Sequence, residues 1–204
     1  MQLKTHWEKV YSTHASDACS WYQARADRSL RLIHETSLPR SSSIIDVGGG
    51  TSFLVDNLLD ESYTSLAVVD LSATALSAAQ SRLGERAKSV TWIEANITEA
   101  VLPLQTYHLW HDRAVFHFLT TPQERQHYLS LLQRSITLHG HVIIATFADD
   151  GPLKCSGLTV MRYSPEELAA EFGSAFTLIK HEREEHQTPS GAIQKFIYCH
   201  FQRL

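Results

Sequence analysis

Three consecutive glycines follow a short apolar run, and this stretch constrains the fold of the 204-residue chain most strongly. Residues 44–47 read Ile-Ile-Asp-Val, residues 48–50 are glycine, and residues 52–59 have the apolar spacing of a helix. Glycine accepts backbone conformations closed to other residues and lets main-chain N–H groups approach a ligand. This order predicts a strand, a tight turn at a ligand site, and a helix.

The remaining sequence predicts strands that alternate with helices. Ser72 is a candidate N-cap, and capping boxes at 121–124 and 164–167 open two further helices. The predicted strands are 44–47, 65–70, 90–94, 107–112 and 141–147, followed by a terminal pair at 176–184 and 193–201. We therefore predict a Rossmann-like, doubly wound α/β sheet of seven strands, mostly parallel, with one antiparallel strand from the C-terminal hairpin.

Length and charge limit the classes of function. One domain spanning 1–204 is expected, with a helical cap at 1–40 and a core at 41–204. The net charge of −4 argues against nucleic acid or a membrane surface as partner. Neither a signal peptide nor a membrane span is predicted. Because the three cysteines are few and scattered, a reducing, cytoplasmic setting is expected.

Asp46, Gly48 and Gly50 fit the pattern Asp-x-Gly-x-Gly, and Asp70 closes the second predicted strand 20 residues after Gly50. Residues 40–204 resemble the class I S-adenosylmethionine (SAM) dependent methyltransferases, in particular small bacterial-type domains of the methyltransferase-12/25 kind. The resemblance implies that SAM donates a methyl group to a small molecule or a protein side chain, leaving S-adenosylhomocysteine (SAH). A dinucleotide fingerprint would need a third glycine where Phe53 stands.

The resemblance assigns the glycine turn to one end of the cofactor. Gly48, Gly49 and Gly50 would let the backbone approach the methionine and ribose. Asp46 would hold the turn or accept a hydrogen bond from the SAM ammonium. Capping of the following helix is the alternative role for Asp46.

The ends of the second and third strands are assigned to the adenosine. Asp70 would accept hydrogen bonds from both ribose hydroxyls, and Leu71 would flank the adenine. Asn96 and Ile97 stand where the family usually has an acidic residue. The amide oxygen of Asn96 would accept from the adenine amino group, or Asn96 simply makes a turn.

Charged residues after the fourth strand are the candidates for chemistry. The run from 111 to 117 resembles bacterial methyltransferases with His-Asp-Arg-x-x-x-His. We expect Asp112 and Arg113 to line the methionine half of the cofactor and His117 to face the acceptor. Alternatively, Asp112 and Arg113 make structural ion pairs and His117 is a hydrogen-bonded core histidine.

Two further segments are expected to border the site. Trp21 or Tyr22 would close over SAM as a lid, or else these aromatics dock a helix on the sheet. Arg162 and Cys155 follow the fifth strand and are candidate substrate contacts. A surface arginine and an inert thiol are the alternatives. Residues 183–186 are expected to be a solvated strand end.

Other functions remain open at this stage. A nicotinamide-dependent oxidoreductase and a non-catalytic SAM-binding module share the glycine turn and Asp70. The twelve histidines lack the spacing of a metal motif, so no metal site is predicted. The sequence is compatible with a monomer or a homodimer.

Overall fold

The computed structural model describes residues 2–204, and a seven-stranded sheet lies at its centre. The strands are β1 (Ile44–Val47), β2 (Leu66–Asp70), β3 (Val90–Glu94), β4 (Tyr107–Arg113), β5 (Ile136–Phe147), β6 (Lys154–Cys155), β7 (Leu158–Thr159), β8 (Phe176–Gln187) and β9 (Ile193–Arg203). The order in the sheet is β3-β2-β1-β4-β5-β9-β8, and β6 and β7 form a separate hairpin. Strand β9 is antiparallel to both β5 and β8, and the other pairs are parallel, which confirms the predicted fold class.

Helices cover both faces of this sheet. They are α1 (Gln2–Thr13), α2 (Asp27–Glu35), α3 (Leu54–Asp60), α4 (Ala73–Leu83), α5 (Pro122–Ser135) and α6 (Pro165–Phe172). Side chains from α2, α3 and α4 join one apolar cluster, and those from α5 and α6 join the other. Both predicted capping boxes and the Ser72 N-cap are formed, so local sequence signals set these three helix starts.

Two elements differ from the sequence prediction. Strand β5 begins at Ile136 rather than near residue 141, because the ladder with β4 continues across a register shift. His139 in that stretch has a positive φ, a backbone conformation that is more typical of turns than of strands. The predicted loop after β5 contains the β6–β7 hairpin, whose Ser156 and Gly157 both have positive φ, as a two-residue hairpin turn requires.

The arm of β8 is solvated on one face only, since Arg183 and Glu185 are exposed as predicted whereas Glu184 and His186 are not. Glu184 is mostly buried and accepts a hydrogen bond from Nε of Arg28 at 3.2 Å. Arg28 also pairs with Glu182. His186 lies 2.8 Å from the carbonyl oxygen of Ser20. The hairpin therefore holds the N-terminal segment against the sheet.

The chain order places a switch point between β1 and β4. The chain leaves β1 toward β2 and β3, and then returns to add β4 on the other side of β1. Open α/β sheets bind ligands outside the carboxyl ends of the strands at such a point. Within residues 2–204, no helix is both long and apolar enough to cross a membrane.

Candidate functional site

Two neighbouring clefts lie at the carboxyl ends of β1, β2 and β4. The α1 cleft, about 790 Å³ with its open mouth, is roofed by Trp7 and Tyr11 of α1 and floored by Asp70. The α3 cleft, about 540 Å³, is bordered by Asp46 and the start of α3. Gly48, Trp21 and Arg113 line both clefts. The two clefts are therefore neighbours that share these walls.

The glycine turn is packed so closely that side chains are excluded. Gly48 has φ +66°, and a Cβ there would lie 2.0 Å from Cγ2 of Val115. A Cβ on Gly49 would lie 2.8 Å from Oδ2 of Asp46. Gly50 has φ +47° and lies under the Tyr11 hydroxyl, 2.7 Å from where a Cβ would be. Close packing against neighbouring side chains therefore requires glycine at these positions, and Gly48 and Gly49 also line the clefts.

Asp70 is a buried carboxylate with no cationic partner in an ion pair among the described residues. Its Oδ1 accepts from the N–H of Ser72 at 2.8 Å. Burial raises the pKa of Asp70 to about 7, and the nearby Asp46 adds to the rise. Burying such a group is unfavourable unless something compensates it, which marks this end of β2 as a ligand site. The two hydroxyls of a ribose could compensate it, because they donate hydrogen bonds and a carboxylate accepts them.

The pKa of Asp70 predicts that ligand affinity depends on pH. Ribose hydroxyls need an ionised acceptor, and a carboxyl with a pKa of about 7 is mostly ionised at pH 8 and mostly protonated at pH 6. The dissociation constant of 5′-methylthioadenosine, measured by calorimetry, should therefore rise about tenfold from pH 8 to pH 6. Asp70→Asn should abolish this slope. An equal slope in that variant would assign it to another group.

The predicted adenine contacts lie in the α1 cleft. Leu71, Asn96 and Ile97 all line it. Oδ1 of Asn96 accepts from both the N–H and the hydroxyl of Thr98, at 3.2 and 3.0 Å. The amide oxygen of Asn96 is therefore used in a turn, and its amide nitrogen is the group left to face a ligand.

Asp112 does not contact the clefts, which corrects the prediction that it lines the cofactor. It is fully buried, and its oxygens accept from the N–H of Val115 at 2.8 Å and from the N–H of Phe116 at 3.1 Å. The Tyr128 hydroxyl also donates to it, at 2.6 Å. Burial raises the pKa of Asp112 to about 6, against the lowering by Tyr128. Its role here is to fix the turn after β4.

His117 does not face the acceptor side, which is a second correction. It is fully buried, and Nδ1 accepts from the N–H of Phe147 at 3.3 Å, so Nε2 carries the ring proton. Nε2 has no hydrogen-bond partner among the described residues. Burial, with a smaller effect of Arg113, lowers the pKa of His117 to about 3. The structure matches the alternative of a neutral core histidine.

Arg113 lines both clefts, and two of its three guanidinium nitrogens donate hydrogen bonds to protein groups. Nε donates to the Tyr198 hydroxyl at 2.8 Å and Nη1 donates to the carbonyl oxygen of Trp21 at 3.0 Å. Nη2 lies 3.8 Å from Glu184, and the guanidinium stacks 4.6 Å from the centre of the Phe196 ring. Arg113 thus connects β4 to the N-terminal segment and the terminal hairpin.

The N-terminal segment covers the α1 cleft with aromatic side chains. Trp21 makes edge contacts with Trp7 and Tyr11, and Tyr22 lines the α3 cleft against Phe53. Sequence reasoning singled out Trp21 and Tyr22 as a lid but assigned Trp7 and Tyr11 no contact of their own. Their i, i+4 spacing was the available signal.

Glu8 fixes α1 in place by capping a different helix. Its carboxylate accepts from the N–H groups of Ala73 and Thr74, at 2.7 and 3.2 Å, and from the Ser72 hydroxyl at 3.1 Å. These donors stand at the start of α4, where a negative charge is favourable. No sequence signal indicated this contact, because it joins elements 64 residues apart.

Of the two predicted substrate residues, one lines a cleft and the other does not. Cys155 is buried and lines the α1 cleft, and burial raises the pKa of its thiol to about 11. It is therefore a thiol at neutral pH rather than a nucleophile. Arg162 lines neither cleft and donates to the carbonyl oxygen of Gly151 at 3.1 Å, which corrects its assignment as a substrate contact.

Sequence reasoning also missed His111 and Ser29, which line the α3 cleft with Asp46. Nδ1 of His111 lies 2.7 Å from Oδ1 of Asp46, and Nε2 lies 2.8 Å from the Ser29 hydroxyl. In the described part of the chain, no group of three or more His, Cys, Asp or Glu side chains is arranged to hold a metal ion.

Comparisons with known proteins agree with this arrangement. A family model described as a methyltransferase domain matches residues 44–140. The eEF1A lysine and N-terminal methyltransferase of Mus musculus is 22% identical over 119 residues, which is 58% of this chain. The match covers only 17% of that protein's length.

Two solved structures superpose over nearly the whole chain. One, described by the conversion of a disulfide bond into a thioacetal group during echinomycin biosynthesis, has a TM-score of 0.80 and 15% identity, covering 98% of this chain and 92% of its own. The other is the Burkholderia thailandensis 1,6-didemethyltoxoflavin-N1-methyltransferase with bound 1,6-didemethyltoxoflavin and S-adenosylhomocysteine. Its TM-score is 0.71 at 17% identity, and the coverage is 99% and 84%. At these identities the likeness concerns the fold.

Proposed function

Because this chain belongs to the class I SAM-dependent methyltransferase superfamily, we propose that it transfers the methyl group of SAM to a small-molecule nucleophile. The observation that carries the proposal is the buried Asp70 carboxylate beside the glycine turn, in the wall of the open α1 cleft. Cofactor, product and fold class follow the superfamily, and the choice of acceptor is the part that requires a test.

The residues that would hold SAM are those at the strand ends. Asp70 would bind the ribose, Leu71 and Ile97 would border the adenine, and the Gly48 turn would let the amino-acid end pass into the α3 cleft. When bound, SAM supplies an electrophilic methyl group. The protein's task is then to orient the acceptor in line and to exclude water.

The titratable side chains at this site favour an acceptor that needs no base. Asp112 and His117 lie outside both clefts and are held by internal hydrogen bonds. Cys155 is protonated at neutral pH, and burial raises the pKa of Tyr11 well above its usual value. A hydroxyl or an ammonium would need its proton removed before attack. A ring nitrogen or a sulfur atom is nucleophilic as it stands.

The walls around the remaining space favour a small apolar acceptor. Trp7, Trp21 and Phe118 contribute aromatic surface, and Asp70 and Arg113 are the charged side chains among the described residues that line the α1 cleft. Arg113 is engaged by protein groups. The toxoflavin enzyme, whose fold matches across the cap as well, carries bound 1,6-didemethyltoxoflavin, which supports this class of acceptor.

We place the chain in a reducing cytoplasm, since its three cysteines are free and buried.

A protein side chain is the second candidate acceptor, because the curated relatives act on eEF1A. The test is transfer of labelled methyl from SAM to a cell lysate separated into fractions below and above about 3 kDa. We expect label in the low-mass fraction, and none with Asp70→Asn. Label in the protein fraction would favour the second candidate. Binding of SAH without transfer to either fraction would indicate a non-catalytic module, and binding of NADH in place of SAH an oxidoreductase.

Removing residues 1–22 tests the cap as a lid. We expect the dissociation constant for SAM to rise at least tenfold, because Trp7, Tyr11 and Trp21 leave the cleft wall. Glu8→Ala is the milder variant, and it should accelerate SAH dissociation in stopped-flow measurements by freeing α1 from α4. Lys9→Ala, at an exposed position of the same helix, is the matched control. Unchanged SAM affinity in the truncated protein would end the lid hypothesis.

A further inference from the structure

A hydrogen-bonded chain of three buried side chains crosses the α3 cleft. Asp46 of β1, His111 of β4 and Ser29 of α2 are 4%, 3% and 1% exposed. Asp46 and His111 are register partners in the parallel ladder, so both side chains project from the same face, the face that α2 covers. The N-terminal cap, through Ser29, is therefore connected directly to the acidic residue of the glycine motif.

The polarity of the chain follows from the groups involved. An ionised carboxylate only accepts, so Nδ1 of His111 donates to Oδ1 of Asp46 at 2.7 Å. In the neutral ring Nε2 then accepts from the Ser29 hydroxyl, at 2.8 Å. His111 thus holds one carboxylate oxygen and the orientation of the whole group. This leaves Oδ2 of Asp46 at the glycine turn, 2.8 Å from where a Cβ on Gly49 would stand.

In the proposed binding mode a specific part of the cofactor would lie beside that oxygen. With the ribose at Asp70 in the α1 cleft, the amino-acid end would pass Gly48 and enter the α3 cleft, which Asp46, His111 and Ser29 line. The α-ammonium is the one cationic group at that end, and a carboxylate oxygen is the partner it favours.

We propose that His111 is a positioning residue for the amino-acid end of SAM. It orients Asp46 toward the α-ammonium, and Ser29 fixes the ring from the cap. The proposal rests on the proposed function and adds one requirement to it. His111 should affect the affinity for ligands that have an amino-acid end and should not affect the affinity for ligands that lack one. At metal sites, replacing a residue that supports a ligand in this way typically weakens binding by about tenfold or more, and we expect a similar loss here.

The test compares SAH with 5′-methylthioadenosine, which has the same nucleoside but no amino-acid end, by calorimetry at pH 8. His111→Leu should raise the dissociation constant of SAH at least tenfold and leave that of 5′-methylthioadenosine within twofold. His111→Asn keeps a donor near the Nδ1 position and should recover most of the SAH affinity. His108→Gln, an exposed position on the same strand, is the matched control and should change neither.

Each outcome separates the inference from the function it rests on. Equal loss of both ligands in His111→Leu would assign His111 a merely structural role, and no loss of either would also overturn the proposal. If His111→Leu does not fold, Ser29→Ala, which removes one hydroxyl, should still weaken SAH selectively. Wild-type protein that binds neither ligand would instead overturn the proposed function.

Discussion

Asp70→Asn is expected to abolish most cofactor affinity and, at the same time, to stabilise the fold above pH 7. In the proposed complex the ionised carboxylate would accept two ribose hydroxyls, and each hydrogen bond to a charged group contributes about 1.5 kcal/mol or more. Loss of both corresponds to a roughly hundredfold higher dissociation constant for SAH, measured by calorimetry at pH 8. Asparagine is nearly the same size, so the cleft keeps its shape.

The stabilisation follows from the direction of the pKa shift. Burial raises the pKa of Asp70 from 3.8 to about 7, so the folded state holds the proton more tightly than the unfolded state. The stability of the wild type is therefore highest below pH 4 in this respect, and it declines as the pH rises through 7. A neutral asparagine avoids that loss. At about 1.4 kcal/mol per pKa unit, the upper bound is about 4 kcal/mol at pH 8.

Thermal unfolding of the wild type and of Asp70→Asn at pH 5 and pH 8 measures this contribution of Asp70 to stability. We expect Asp70→Asn to melt on the order of 5 °C higher than the wild type at pH 8, and the difference to shrink at pH 5. A variant that both binds SAH normally and melts like the wild type would show that Asp70 neither contacts the ribose nor carries a burial penalty.

Gly48→Ala is expected to have the largest effect on folding. Alanine at φ +66° costs about 1–2 kcal/mol, and its Cβ would lie 2.0 Å from Cγ2 of Val115. Relief of that overlap moves the turn or the segment after β4, at a further cost of about 1–3 kcal/mol. We expect chemical denaturation to show a loss near 3 kcal/mol, with SAH affinity at least tenfold weaker because the turn is displaced.

Gly84→Ala separates the two contributions. Gly84 has φ +57° and no heavy atom within 4 Å of a Cβ, so it reports backbone strain alone. Because φ +57° with ψ −130° lies outside the region that other residues adopt, we expect a cost of about 1–3 kcal/mol and unchanged SAH binding. Adding Val115→Ala to Gly48→Ala should recover part of the loss at Gly48, since the two positions are in contact. No recovery in that double variant would contradict the close approach.

Spacing along the sequence was enough to predict the sheet and to bring the glycine turn and Asp70 to one edge of it. The glycine turn follows a buried strand, and Asp70 closes the next one, so both lie at the same edge once the strands are parallel. Helix starts were predictable for a similar reason. The side chains of Ser72, Thr121 and Ser164 accept from N–H groups three residues on, which is a local property.

The errors after β4 arose where the direction of a side chain decides its role. Successive residues of a strand point to opposite faces, so His111 and Arg113 face the cap while Asp112 faces α5. The sequence contains the alternation but does not say which face carries the ligand. The contacts of Asp46 with His111 and of Glu8 with α4 depend on tertiary pairing, so spacing did not reveal them.

The carboxylate of Glu8 holds α1 across the α1 cleft, and the same helix supplies Trp7 and Tyr11 to its roof. We expect an acceptor under this helix to hinder the release of cofactor from the α1 cleft. Under the proposed function SAM should therefore bind before the acceptor and SAH should leave last, so that product inhibition by SAH is competitive with SAM.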